Sequence, residues 1–269
     1  MKKVLSLLLV LLMMLGALSA AAGEAARPIL IQGAMGIETS TMMEALENAQ
    51  TQVLHGYTYV TGLLDGYPAV ISKTEVGMVN AAASTAIGIM TFSPAAVINQ
   101  GTAGGHDEAL HKGDIVIGTT TVNINAFRSE WAAKGTGIDP TKWINMSISV
   151  YQDGEIKDVD SLSSDAALAA IAKSVPYDKG ALVEGVIGSG DVWNKELDRI
   201  ALIHAQFNTS CEEMETYAVA QVCAYMNTPF VGIRILSNNE IHQESFDPQT
   251  GPDCQNYVLD VARAIIKTF

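Results

Sequence analysis

The segment 213–238, EMETYAVAQVCAYMNTPFVGIRILSN, decides the predicted fold of this chain. Its first half has the apolar spacing of a helix, and we predict a helix over 213–225. Its second half contains a short apolar run at 230–236, which predicts a buried strand. A helix that leads directly into a buried strand is typical of α/β domains.

The same alternation continues through the rest of the chain. Further strand-like runs lie at 29–32, 67–73, 96–100, 114–121 and 182–187. Further helical stretches lie at 79–90 and 254–267. Strands that alternate with helices predict an α/β domain with three layers, in which helices cover both faces of a mixed central sheet. Ligands bind at the carboxyl ends of strands in such sheets, so the residues directly after each strand are candidates for function.

The N-terminus has the pattern of a secretory signal peptide. Lys2 and Lys3 precede an almost unbroken apolar run over 4–18, and small residues follow. That run is too short for a comfortable transmembrane span. We expect residues 1–22, or up to 26, to be removed on export to the periplasm or the exterior, leaving one domain over 27–269 with no membrane attachment. An uncleaved N-terminal anchor is the alternative.

Charge and cysteine content restrict the partners and the chemistry. The chain has 16 Lys and Arg residues against 29 Asp and Glu, with a formal net charge of −13. Nucleic acids and anionic membranes require clustered Lys and Arg, which the sequence lacks, so neither is an expected partner. The three cysteines allow at most one disulfide, for which Cys211 and Cys254 are the candidate pair.

Four segments that follow predicted strands carry the candidate functional residues. They are GAMGIE at 33–38, NQGTAGG at 99–105, GSGDVW at 188–193, and Glu213-Met214-Glu215 combined with Arg234-Ile235-Leu236-Ser237-Asn238. Each segment alone is a weak signal. A glycine-rich turn is more often a simple connection, and a Glu in a first helical turn commonly interacts with the helix dipole.

Together and in this order, the four segments resemble the nucleoside phosphorylase/nucleosidase superfamily, above all the methylthioadenosine/S-adenosylhomocysteine nucleosidases. The resemblance extends from about residue 29 to the C-terminus, and the Glu-Met-Glu and Arg-x-x-Ser-Asn motifs are its most specific part. It implies a nucleoside phosphorylase-like fold and a homodimer. It also implies hydrolysis of the ribose–base bond of a purine nucleoside, or of a 5′-substituted derivative, without a metal or organic cofactor.

The resemblance also implies the roles of individual residues. Glu38 takes the place of the carboxylate that deprotonates the attacking water, and Asn238 takes the place of the general-acid Asp. Trp193 replaces a Phe that packs on the purine, while Met214 and Glu215 match the residues at the ribose. Other residues predicted to bind substrate are Val76, Thr102, Ala103, Gly104, Val192, Glu213 and Ser237.

Elementary chemistry supports these roles. N-glycoside cleavage passes through a cationic, oxocarbenium-like sugar, which nearby carboxylates stabilise. One carboxylate must also accept a proton from water, as Glu38 can. The departing purine gains negative charge, so a donor at N7 lowers the barrier, and an aromatic ring such as Trp193 holds the base by stacking.

Other chemistries fit the sequence less well. A purine nucleoside phosphorylase needs a cationic phosphate pocket, yet residues 33–38 and 98–105 contain no Arg or Lys. His106, Asp107, Glu108 and His111 do not have the spacing of a standard metal site. The chain also lacks the Gly-x-Ser-x-Gly motif of serine hydrolases.

Two departures from the family pattern leave an alternative open. Asn238 cannot deliver a proton as a carboxylic acid does, although its NH2 group can donate to N7 or O6 of a 6-oxopurine. Export is the second departure, since relatives that salvage methylthioadenosine usually work in the cytoplasm. The alternative is an exported, non-catalytic nucleoside-binding or storage protein of the same fold. The presence of Glu38 and Glu215 favours the enzyme.

Overall fold

The computed structural model describes residues 26–152 and 154–269, so the predicted signal peptide lies outside the described residues. Within these two ranges no helix is long and apolar enough to cross a membrane. The strands are β1 (Ile29–Gly33), β2 (Glu47–Leu54), β3 (Tyr57–Leu64), β4 (Tyr67–Lys73), β5 (Ala96–Gly105), β6 (Ile115–Asn123), β7 (Phe127–Arg128), β8 (Ile144–Asn145), β9 (Ile148–Gln152), β10 (Glu155–Val159), β11 (Leu162–Ser163), β12 (Leu182–Ser189), β13 (Thr209–Glu213) and β14 (Phe230–Asn238). The α-helices are α1 (Gly36–Glu44), α2 (Met78–Phe92), α3 (Ala166–Ser174), α4 (Leu197–Phe207), α5 (Thr216–Tyr225) and α6 (Thr250–Ile266).

The central sheet is mixed, as predicted. β1 pairs in parallel with β4 on one side and β5 on the other, and the β2–β3 hairpin extends the sheet beyond β4. β14 pairs in parallel with β5 and antiparallel with β6. β12 then joins β6 to β13, and β13 returns antiparallel to β5. Five strands therefore close a ring, and the ends of these strands converge on a common region.

The two faces of the sheet are buried under separate helices. Ile29 and Ile31 of β1 pack into a core that includes residues of α1, α3 and α6. Leu30, which points to the other face, packs with residues of α2 and α5. Successive strand residues alternate between the faces, so both faces require apolar side chains, and the strands are continuous apolar runs. The predicted three-layer α/β fold with a mixed central sheet is confirmed.

The predicted elements are present, with shifted boundaries. The six predicted strands correspond to β1, β4, β5, β6, β12 and β14. The prediction of a helix over 213–225 is wrong at its start, because Glu213 ends β13 and α5 begins at Thr216. The helix predicted over 254–267 begins earlier, at Thr250, and ends at Ile266.

Two further features concern the cysteines and the region between β6 and β11. All three cysteines are buried free thiols, so the candidate Cys211–Cys254 disulfide is not formed. The region between β6 and β11 contains two small two-stranded sheets, β7 with β8 and β9 with β10, outside the central sheet. These sheets lie between residues 124 and 160.

Candidate active site

A cavity of about 250 Å³ lies where the strands of the ring end. All twelve predicted site residues line it: Glu38, Val76, Thr102, Ala103, Gly104, Val192, Trp193, Glu213, Met214, Glu215, Ser237 and Asn238. Ala34, Met35, Glu212 and Phe246 complete the described lining, in which no residue is Lys or Arg. The lining is therefore acidic, with apolar and aromatic surfaces between the carboxylates.

Glu38 lies in the first turn of α1 and is held by four hydrogen bonds. Its Oε2 accepts from the backbone N–H groups of Ala34, at 2.9 Å, and Met35, at 3.1 Å. Its Oε1 accepts from the backbone N–H and the hydroxyl of Thr102, at 2.8 and 2.9 Å. A Cβ at Gly101 would lie 2.7 Å from Oε1, so only glycine allows β5 to approach this carboxylate. Glu38 is 3% exposed, so its position is fixed within the cavity wall.

Glu213 forms a buried ion pair behind the cavity. Its Oε2 accepts from Nε of Arg234 at 3.0 Å and also from Nη2 of the same side chain. Ser189 donates to Oε1, and the backbone N–H of Thr216 donates to both oxygens. Burial raises the pKa of Glu213, but the Arg234 guanidinium and the hydrogen bonds from Ser189, Arg234 and Thr216 together outweigh it and hold that pKa below its usual range. Hydrogen-bond donors of the chain itself occupy both oxygens of this carboxylate. Glu213 therefore anchors the turn that leads into α5.

Glu215 has a different environment, although it lies only two residues further on. Its Oε1 accepts from the backbone N–H of Gly77 at 2.8 Å, at the start of α2. Its Oε2 lies 3.7 Å from Nη2 of Arg234, which is already bonded to Glu213. Burial and the Glu213 carboxylate raise the pKa of Glu215 to about 8. These surroundings therefore favour the protonated form of Glu215 more than those of Glu213 do.

An aromatic pair, Trp193 and Phe246, also lines the cavity. The rings of Trp193 and Phe246 meet at 62°, with their centroids 6.1 Å apart. Nζ of Lys195 lies 4.9 Å from the centre of the Trp193 ring. Trp193 is 53% exposed, so a large part of its surface is free to contact a planar ligand.

Asn238 ends β14 and lines the same cavity. Ser237 donates to its Oδ1 at 3.0 Å, and its Nδ2 lies 3.4 Å from Glu240 Oε1. Its Nδ2 is also 3.3 Å from the position that a Cβ would take at Gly104. The amide oxygen accepts from Ser237 and one N–H donates to Glu240, so the second N–H is the donor that a ligand can use.

Neither His106 nor His111 lines the cavity. His106 is buried, with its Nδ1 2.9 Å from Oγ1 of Thr209. His111 stacks on His242 at 4.2 Å and pairs with Glu244. Across the described ranges, His, Cys, Asp and Glu side chains form no group of three or more that could hold a metal ion.

The sequence pattern of the phosphorylase superfamily matches residues 28–269. The chain belongs to this superfamily. A 5′-methylthioadenosine/S-adenosylhomocysteine nucleosidase from Bacillus cereus strain G9842 is 32% identical over 245 residues, covering 87% of this chain and 97% of the relative. The predicted resemblance is therefore confirmed.

Solved structures of superfamily members agree with this assignment. The nucleosidase from Neisseria meningitidis, in complex with methylthio-immucillin-A, has a TM-score of 0.73 and 28% identity, covering 88% of this chain and 99% of that one. The nucleosidase from Colwellia psychrerythraea 34H, in complex with adenine, has a TM-score of 0.73 and 29% identity, covering 89% and 96%. These relatives are named nucleosidases, which supports the predicted class of N-glycosyl hydrolase for this superfamily member.

Several residues in the lining of the cavity or behind it were not predicted from the sequence. Arg234 was quoted in the superfamily motif but was given no role, and its ion pair with Glu213 depends on the pairing of distant strands. Glu212 directly precedes the Glu-Met-Glu motif, and this neighbouring position is the feature of the sequence that could have indicated it. Phe246 lies in a loop beyond β14 without any regular pattern, so nothing in the sequence indicates that it reaches Trp193.

Proposed function

We propose that this chain hydrolyses the ribose–base bond of a purine nucleoside. The observation that carries the proposal is that Glu38 and Glu215 open onto one cavity whose described lining contains no Lys or Arg. Such a cavity stabilises a cationic sugar and disfavours a phosphate dianion. Water is therefore the nucleophile, and a purine nucleoside phosphorylase is the less favoured alternative.

Glu38 is proposed to accept the proton of the attacking water. Four donors already occupy its oxygens, and three of them are backbone N–H groups that cannot turn away. The Thr102 hydroxyl can rotate, which frees a lone pair on Oε1 for a water proton. This arrangement orients the carboxylate and supplies one acceptor site at the point of attack.

Glu215 and Met214 are proposed to contact the ribose, while Glu213 holds their turn by accepting from the backbone N–H groups of Glu215 and Thr216. A positive charge that develops on the sugar opposes the effect of Glu213 and favours ionised Glu215. The interaction of Glu215 with the sugar is therefore stronger in the transition state than with the neutral substrate. Only an interaction that strengthens in this way accelerates the chemical step.

The base is proposed to stack on Trp193 and to accept a hydrogen bond from Asn238 Nδ2. N7 and O6 of a 6-oxopurine are both acceptors on the edge that this NH2 group would face. An Asn cannot protonate N7, so the leaving base is stabilised by a hydrogen bond only. We therefore infer a preference for 6-oxopurine nucleosides over adenine nucleosides, with the 5′ substituent left open.

The same amide supports the second candidate, a non-catalytic nucleoside-binding or storage protein. Removing the general acid slows cleavage without removing the cavity. Incubating the purified chain with inosine, guanosine, adenosine, methylthioadenosine and S-adenosylhomocysteine separates the two functions. Release of free base and free sugar supports the hydrolase. Tight binding without release of base from any of them supports the binding protein and refutes the hydrolase.

Export and a homodimer are proposed on separate grounds. Lys2, Lys3 and the apolar run over 4–18 support export and cleavage, after which no membrane attachment is expected. The homodimer follows from the resemblance to the superfamily. The mass and N-terminal sequence of the mature protein test cleavage, and light scattering after size-exclusion chromatography tests the dimer. An intact N-terminus or a monomer contradicts the respective proposal.

A further inference from the structure

The loop that carries Trp193, residues 190–196, is attached to the rest of the domain at two points beside the ring. On one side Asp191 Oδ1 accepts from the backbone N–H of Met78 at 2.8 Å. On the other side Asn194 is bonded to Glu212, at the end of β13. Between these points the Trp193 side chain is half exposed.

Glu212 binds Asn194 through both of its oxygens. Oε1 accepts from the backbone N–H of Asn194 at 2.7 Å, and Oε2 accepts from its side-chain Nδ2 at 2.5 Å. Glu212 is 3% exposed, and Nε2 of the buried His106 lies 3.2 Å from Oε2. This side chain therefore cannot shift without disturbing a buried neighbour. The paired hydrogen bonds fix both the backbone and the side chain of the residue next to Trp193.

We infer that Glu212 is a positioning residue that sets the base-stacking surface of Trp193 through Asn194. The inference rests on the proposed function for its effect on substrate, but the position of the loop is independent of it. Neither the sequence motif nor the family resemblance assigns Glu212 or Asn194 a role. Lost positioning should weaken the affinity for the base more than it slows the chemical step at Glu38.

Exchanging the carboxylate of Glu212 and the side-chain amide of Asn194 tests this inference. Asn194→Asp places two carboxylates against each other and should raise KM about tenfold, the cost of one lost buried hydrogen bond, with little change in kcat. Glu212→Gln should raise KM less than Asn194→Asp does, because the Asn194 amide can turn and accept from the new NH2 group. The double variant Glu212→Gln/Asn194→Asp restores an acceptor opposite a donor and should recover most of the lost affinity. Asn208→Asp makes the same change at an exposed residue and is the matched control.

A second measurement, the quenching of Trp193 fluorescence, reports the position of the loop without requiring turnover. In a Trp131→Phe/Trp143→Phe background, acrylamide quenching follows Trp193 alone. Asn194→Asp should increase quenching, Asn208→Asp should not, and the double variant should return toward the parent. Unchanged quenching in Asn194→Asp, or failure of the double variant to recover while it remains folded, overturns the inference. If the wild type cleaves no purine nucleoside but the quenching pattern holds, the proposed function fails and the positioning role stands.

Discussion

Replacing Glu38 by Gln is the most direct test of the proposed chemistry. The substitution keeps the size of the side chain but removes the ability to accept a proton from water. We expect kcat to fall about 10²-fold or more, the usual scale of general-base catalysis. The structure adds a second consequence, because all four partners of this carboxylate are donors.

The cost in stability follows from the two possible orientations of the new amide. If the NH2 group faces Ala34 and Met35, two backbone N–H donors lose their acceptor. If it faces Thr102, the hydroxyl can rotate to accept, and only the Thr102 N–H is left unpaired. The second orientation is therefore favoured. One unpaired buried donor costs about 1–3 kcal/mol of the free energy of unfolding. For a domain of this size, that lowers Tm by about 2–12 °C, at roughly 2–4 °C per kcal/mol.

Turnover and thermal unfolding should be measured on the same preparations, with turnover assayed well below Tm. Glu44→Gln is the matched control, because Glu44 is an exposed carboxylate in the same helix. It should keep wild-type kcat and Tm. Wild-type turnover in Glu38→Gln refutes the assignment of Glu38 as the base. An unchanged Tm refutes the account of its four hydrogen bonds.

Three further predictions concern the nucleophile, the base and the charge of the cavity. Phosphate should not accelerate cleavage, since no Lys or Arg lines the described cavity, and a ribose 1-phosphate product identified by mass spectrometry would show a phosphorylase instead. Asn238→Asp should shift selectivity toward 6-amino purines about tenfold to a hundredfold and raise their turnover, as measured by kcat/KM on inosine and adenosine, because a carboxylic acid can protonate N7. Equal kinetics for both bases in both proteins would mean that Asn238 does not contact the base. Finally, burial raises the pKa of Glu215 from 4.5 to about 8. The folded state then binds more protons than the unfolded state between these pH values, so this contribution to stability is complete below 4.5 and is lost as pH rises through 8. Thermal unfolding at pH 5 and pH 8 should show a smaller loss in Glu215→Gln than in the wild type, and identical losses would contradict the shift.

Much of the candidate site could be predicted from the sequence because the ends of neighbouring strands meet at one edge of a sheet. Glu38, Thr102, Trp193 and Asn238 each follow a strand that its apolar run identifies, and the structure brings all four to one cavity. Phe246 could not be found in this way, since it lies in an irregular loop. The start of α5 was also missed. The backbone N–H groups of Glu215 and Thr216 donate to the Glu213 carboxylate, so residues 214–215 form a turn where the apolar pattern suggested a helix.

The sequence by itself determined the alternation of strands and helices, the mixed α/β class, the superfamily and the absence of cationic residues from the glycine-rich turns. These properties are local, since they depend on residue type and on spacing along a few turns or strands. Only the tertiary structure decided that the pKa of Glu213 is lowered while that of Glu215, two residues further on, is raised. Glu213 is ionised because Arg234 of β14 reaches it, and Glu215 is held by Gly77, 138 residues away in the chain. Burial and charge depend on groups that only the closed ring of strands brings together, so these pKa values are properties of the fold rather than of the motif.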